Sequence, residues 1–121
     1  MNRKSLILTL AVLTLTVTFS LTPAHAAPCS GYRCNDTRIS RLFLSGDGNV
    51  YVRPADGGQA NLTCGSGNTN ATYLVLTRAH KSFKEIYATL LAIKVANSKV
   101  NFRLVSSGPS CDIAYITVDR P

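Results

Sequence analysis

The chain has 121 residues, 13 Lys and Arg against 6 Asp and Glu, and a formal charge of +7. That length holds one small domain and excludes a multidomain enzyme. With 45% hydrophobic and 16% charged residues it is not composed like a disordered tail.

In chain order, residues 1–26 read as a secretory signal peptide. Arg3 and Lys4 form a basic start, residues 6–21 are apolar apart from Ser and Thr, and Pro23 with Ala24-His25-Ala26 supplies a cleavage site. The expected product is a single secreted or periplasmic domain of bacterial type, residues 27–121, with no membrane span after cleavage. All four cysteines, Cys29, Cys34, Cys64 and Cys111, follow the cut. They allow three pairings. Export favours disulfides, and the short Cys29 to Cys34 spacing favours that pair, leaving Cys64 with Cys111. Zinc would want a Cys-x-x-Cys pair, which is missing, so neither a metal nor another cofactor is expected.

Residues 27–37 read as a disulfide-tied lead-in. Residues 38–45 (RISRLFLS) and 50–53 (VYVR) read as strands of a hairpin, joined by the turn Gly46-Asp47-Gly48-Asn49. That turn resembles part of a calcium loop, but the ligand spacing and closing Glu are absent. Asp56-Gly57-Gly58 is a second turn, residues 61–64 are a short strand or extended connection, and residues 65–71 (GSGNTNA) are a polar loop. Residues 72–76 (TYLVL) suit a buried strand. From Phe83 the period becomes helical, with Phe83, Ile86, Tyr87, Leu90, Leu91 and Ile93 on one face. Ser82 and Glu85 fit a capping box, and Asn97-Ser98 a stop. Val100, Phe102 and Leu104 alternate in the next strand. The last strand, around Ile113, Tyr115 and Thr117, is apolar on both faces, as a central strand would be.

The order β-β-β-α-β-β predicts a mostly β protein with one helix. It suits an OB-like five-stranded small barrel with the helix at one end. The alternative is an open antiparallel α+β sheet. The segment Ser82-Phe83-Lys84-Glu85-Ile86-Tyr87 with Leu90 and Leu91, then Lys99-Val100-Asn101-Phe102-Arg103-Leu104, resembles the helix-then-strand part of B subunits of the subtilase-cytotoxin and typhoid-toxin group. The Gly48-Asn49-Val50-Tyr51-Val52 hairpin and paired late cysteines also resemble those of small secreted bacterial proteins. The resemblance spans roughly residues 38–119 and implies an OB fold, rings of five and binding of sialylated glycans.

Residues 27–121 carry eleven Lys and Arg against six acids, about +5, with no basic run. That balance suits solubility and short-range pairing first, and attraction to anionic partners second, and it carries no nucleic-acid signature. No serine-hydrolase elbow or zinc-protease motif occurs. The favoured reading is a secreted non-catalytic binding module, not an enzyme, with a glycan or a secreted partner subunit as its partner. Tyr51, Arg53, Arg78 and His80 are the candidate surface, an aromatic face with charged groups for a sugar's polar atoms. A small hydrolase or nuclease using His80 and Glu85 is the alternative, as is a periplasmic inhibitor or partner protein. The sequons at Asn35, Asn61 and Asn70 fall in polar stretches and read as chance. Lys81 and Lys84 on the outer helix face would repel across a ring's pore, so a monomer or weak oligomer is expected.

Overall fold

The computed structural model describes residues 27–64, 73–106, 108 and 110–120. The expected signal segment, the 65–71 loop with Asn70, and Thr72 lie outside these residues. The protein is mostly β with one helix. The elements are β1 (Cys29–Ser30), β2 (Arg33–Thr37), β3 (Ile39–Leu44), β4 (Val50–Pro54), β5 (Leu74–Leu76), α1 (Phe83–Ala96), β6 (Val100–Leu104) and β7 (Ile113–Thr117). They form two antiparallel sheets, one in the order β1-β2-β6-β7 and one in the order β3-β4-β5.

The sheets share one run of chain, because only Arg38 separates β2 from β3. β2 pairs with β6, then the chain passes the joint and β3 pairs with β4. On the far side, among the described residues, the sheets touch through one parallel bridge, Val75 with Asp112, where the Val75 N–H donates to the Cys111 carbonyl at 2.9 Å. The ladders of the described residues therefore do not close into a barrel. The open antiparallel α+β arrangement describes the hydrogen bonding.

The core fills the space between sheets and helix. Val50, Val52, Leu74 and Leu76 meet Val100, Phe102, Leu104 and Ile113, and α1 adds Ile86, Leu90 and Ile93. Each such side chain contributes about 1.5–3 kcal/mol by leaving water. Lys94 at the end of the helix donates from Nζ to the Ile39 and Ser40 carbonyls, at 3.0 and 2.9 Å. Both carbonyls face it because the β3–β4 register shifts at this point. The helix stops where expected: Asn97 takes a left-handed φ of 50°, and the Ser98 N–H returns to the Ile93 carbonyl at 3.1 Å.

Several expectations need correction. The 27–37 lead-in is strand: a two-residue β1 folded onto β2 by Gly31, with φ +60°. The 61–64 segment keeps its expected extended form from Leu62, which bridges to Gly31, and only its first residue belongs to a 3₁₀ turn, Gln59–Asn61. The helix stripe is narrower than its sequence, since Leu91 is exposed while Phe83 and Tyr87 are partly buried. Ser82 makes no side-chain cap, so the capping box does not form. The last strand lies at the edge of its sheet, not in the centre. Its apolar outer residue, Tyr115, is 54% exposed.

Disulfides join Cys29 to Cys34 and Cys64 to Cys111, as expected from the spacing. The first closes a separation of five residues, the second one of 47. Loop-closure entropy is then worth about 2 kcal/mol for the short loop and about 4 for the long one. Urea unfolding of the two Cys→Ser pair variants should show the Cys64/Cys111 pair to be the costlier loss.

The β3–β4 turn also carries a pH signature. Asp47 accepts from the Asn49 backbone N–H at 3.0 Å and from the Asn49 side-chain amide at 2.9 Å. The backbone bond is the main cause holding its carboxyl below the ordinary carboxylate range. A depressed carboxyl stabilises the fold in full above its unfolded pKa of about 4 and loses that as pH falls through the lower folded value. The stability advantage of wild type over Asp47→Ala, measured in urea, should be constant from pH 7 to 5 and shrink below about pH 4.

Candidate functional site

The hairpin sequence is mirror-symmetric about its turn, Arg41-Leu42-Phe43 against Tyr51-Val52-Arg53. The register pairs Arg41 with Arg53, Leu42 with Val52 and Phe43 with Tyr51. Strand alternation sends Leu42 and Val52 to the core side and the other two pairs to the outer face. β5 extends the pattern, with Val52 opposite Leu74, so that Tyr73 comes alongside Arg53.

Three rings meet on this face. Phe43 and Tyr51 stack with centroids 5.2 Å apart and planes 10° from parallel. Tyr73 stands edge-on to both, at 5.4 Å from Phe43 and 6.3 Å from Tyr51. Phe43 lies on the sheet's edge strand and is 40% exposed. Arg41 reaches across β4 to the Tyr73 hydroxyl, donating from Nη1 at 3.4 Å. The face is thus a ring cluster bordered by two guanidinium groups.

Among the described residues those guanidiniums have no acidic partner. All six Asp and Glu lie within the described residues, and the ion pair found there is Lys99 with Asp36, at 2.6 Å. Two arginines facing each other across a strand pair destabilise it by roughly 0.2–1 kcal/mol. The face therefore holds two opposed guanidiniums next to exposed aromatic surface.

The four residues expected to form one surface are divided by the fold. Tyr51 and Arg53 belong to the ring face. Arg78 lies beyond the opposite end of β5, since Val50 is paired with Leu76. Its backbone N–H donates to the Asn49 side-chain carbonyl at 2.9 Å, and its side chain covers Gly48. About five residues of extended chain, up to roughly 16 Å, separate the levels of Arg53 and Arg78. Phe43, Tyr73 and Arg41 complete the ring face instead. The mirror sequence about Asp47-Gly48 was the signal for two of them, because a hairpin turn fixes which residues lie opposite.

His80 is engaged in the fold. Its Nδ1 accepts from the Ser82 backbone N–H at 3.1 Å, which leaves Nε2 as the donor to the Ala114 carbonyl at 2.9 Å. Its own carbonyl accepts from the Phe83 N–H at 3.0 Å. His80 thus accepts from the Ser82 N–H in place of Glu85 and ties the helix start to β7. His80 and Glu85 line one open groove with Arg78, Lys81 and Lys84, and no hydrogen bond joins the His to the Glu. Both imidazole nitrogens are committed to backbone groups, so neither is free to move a proton to a ligand in this geometry. Among the described residues, no cluster of three or more His, Cys, Asp or Glu is placed to hold a metal ion.

No known protein family, curated protein or solved structure matches the chain.

Replacing His80 with Ala removes both bonds and leaves a half-buried carbonyl and an N–H without that partner, a loss of about 1–3 kcal/mol. Urea unfolding should register it. His80→Gln, which keeps one donor and one acceptor, should recover part of it.

Proposed function

We propose that this protein is an exported, non-catalytic binding module and that the outer face of β3-β4-β5 takes an acidic glycan. The observation that carries this reading is the Phe43, Tyr51 and Tyr73 ring cluster bordered by Arg41 and Arg53, whose charges no carboxylate among the described residues answers. A sugar ring packs on the exposed part of Phe43, and the guanidiniums receive its carboxylate in their planar forks. The resemblance to glycan-binding toxin B subunits implies the same class of ligand.

The strand plan supports an OB-like reading as well. β2 and β3 act as one bent first strand serving both sheets, and a parallel contact between β5 and the start of β7 is where such a barrel would be completed. In OB folds the face of the central strands commonly binds sugars or oligonucleotides. Two disulfides are compatible with an oxidising compartment, and no helix among the described residues is long and apolar enough to cross a membrane. The structural bonds of His80 favour binding over the hydrolase alternative. With Lys81 and Lys84 exposed at the helix start, the proposed state is a monomer or weak oligomer.

A glycan array at low salt is the direct test. Carboxylate-bearing glycans should be retained over their neutral counterparts, and Phe43→Ala or Arg53→Gln should each weaken retention about tenfold, equal to about 1.4 kcal/mol. Absence of binding to any acidic glycan at low salt would remove this reading.

A further inference from the structure

The other sheet repeats the opposed-arginine arrangement on its own outer face. Arg33 on β2 is paired with Arg103 on β6, and Arg103 with Tyr115 on β7. The Leu104 N–H donates to the Tyr32 carbonyl at 2.9 Å, which makes the Tyr32 and Leu104 level hydrogen-bonded. The next level, Arg33 with Arg103, is then the non-hydrogen-bonded kind, in which facing side chains stand closest. All three side chains are exposed, and they line one shallow groove.

Like charges opposed at the closest cross-strand position destabilise a sheet. Among the described residues no ion pair relieves them. Asp56 is bound to the Thr37 and Arg38 joint, and Asp47 and Asp112 to their own turns. Asp36 and Asp119 both border the same groove, but Asp36 is paired with Lys99, and Asp119 accepts from the Asn101 side-chain amide at 2.7 Å. Glu85 is on the helix.

We propose that Arg33, Arg103 and Tyr115 form a second anion site, separate from the ring face, that takes a phosphate monoester carried on a sugar ring. Two opposed guanidiniums match a group bearing close to two negative charges, which a phosphate monoester does at neutral pH and a single carboxylate does not. Each guanidinium can present two N–H donors to a pair of phosphate oxygens. Tyr115, 54% exposed at the same level, offers a ring for the sugar and a hydroxyl for its polar rim. The site uses none of the residues proposed for the acidic glycan, so either can fail alone.

The test is an NMR titration of the isotopically labelled, oxidised protein at low ionic strength, with glucose 6-phosphate, inorganic phosphate and glucose as separate probes. Glucose 6-phosphate should move the resonances of Arg33, Arg103 and Tyr115. Inorganic phosphate should move the same resonances at several-fold higher concentration, and glucose should leave them in place. Arg33→Gln or Arg103→Gln should each weaken the response about tenfold, while Arg53→Gln should not. Arg103→Gln should also raise the unfolding temperature of the ligand-free protein by relieving the opposed charges. Tyr115→Ala should erase the preference for the sugar phosphate over inorganic phosphate. Shifts reproduced by sodium chloride at equal ionic strength, or retained when both arginines are changed to Gln, would overturn the site.

Discussion

The architecture depends on how one carboxylate holds the joint between the two sheets. At Thr37 and Arg38 the chain leaves one ladder for the other, and there a backbone amide has no strand to pair with. Asp56 supplies the partner. Its Oδ2 accepts from the Arg38 N–H at 3.1 Å and from the Thr37 hydroxyl at 3.3 Å. Thr37 is wholly buried, and its hydroxyl is shared between Asp56 and the Arg38 carbonyl, at 3.2 Å. The Arg38 carbonyl in turn accepts from the Ala55 N–H at 2.8 Å. The turn that presents Asp56 needs glycine. Gly57 and Gly58 have φ of +82° and +83°, and a Cβ on Gly58 would meet the Cys29 backbone at 3.0 Å. The short disulfide, the two-residue β1 and this turn are therefore one assembly, and it is what allows a single run of chain to serve both sheets.

Sharing that run sets the placement of charge. β2 carries Arg33 to the outer face of one sheet, and β3 carries Arg41 to the outer face of the other. Each meets an arginine across a strand pair, and each lies at the level of a tyrosine. Four of the six Asp and Glu are spent on turns, on the joint and on the Asp36–Lys99 pair. Asp36 itself sits in a left-handed conformation, φ +52°, where the β2–β6 register shifts, and its N–H donates to the Asn101 side-chain carbonyl at 2.6 Å. Acids placed to hold the backbone leave the sheet faces cationic. Net charge alone conveys nothing of this, since it counts groups and not their positions.

Much of the fold was legible because local chemistry decided it. The Asp47-Gly48 turn, the alternation in β4 and β6, the extent of α1 and both cysteine pairs follow from spacing and residue type. What was not legible depended on distant partners. Ser82 and Glu85 have the sequence of a capping box, but His80, braced against Ala114 of β7, offers the Ser82 N–H an acceptor two residues away. The apolar faces of β7 suggest a central strand, yet the sheet ends there and Tyr115 stays in solvent. Residues 27–37 lack apolar alternation because β1 and β2 bury their disulfide and Thr37 instead of aliphatic side chains.

The same distinction explains the uneven fate of the candidate surface. Tyr51 and Arg53 were identifiable as exposed members of a strand. Their neighbours were one inference further, since the mirror order Arg-Leu-Phe and Tyr-Val-Arg about a tight turn makes Phe43 and Arg41 their register partners. Tyr73 required knowing that β5 pairs with β4, a contact across more than twenty residues of chain. Arg78 and His80 are polar residues shortly before a helix, and their positions are fixed by Asn49 and Ala114, neither of which is near them in sequence. Where a site is built from a hairpin, its turn reveals it. Where it is built from the meeting of separate strands, only the register does, and the Arg33, Arg103 and Tyr115 level is of that second kind.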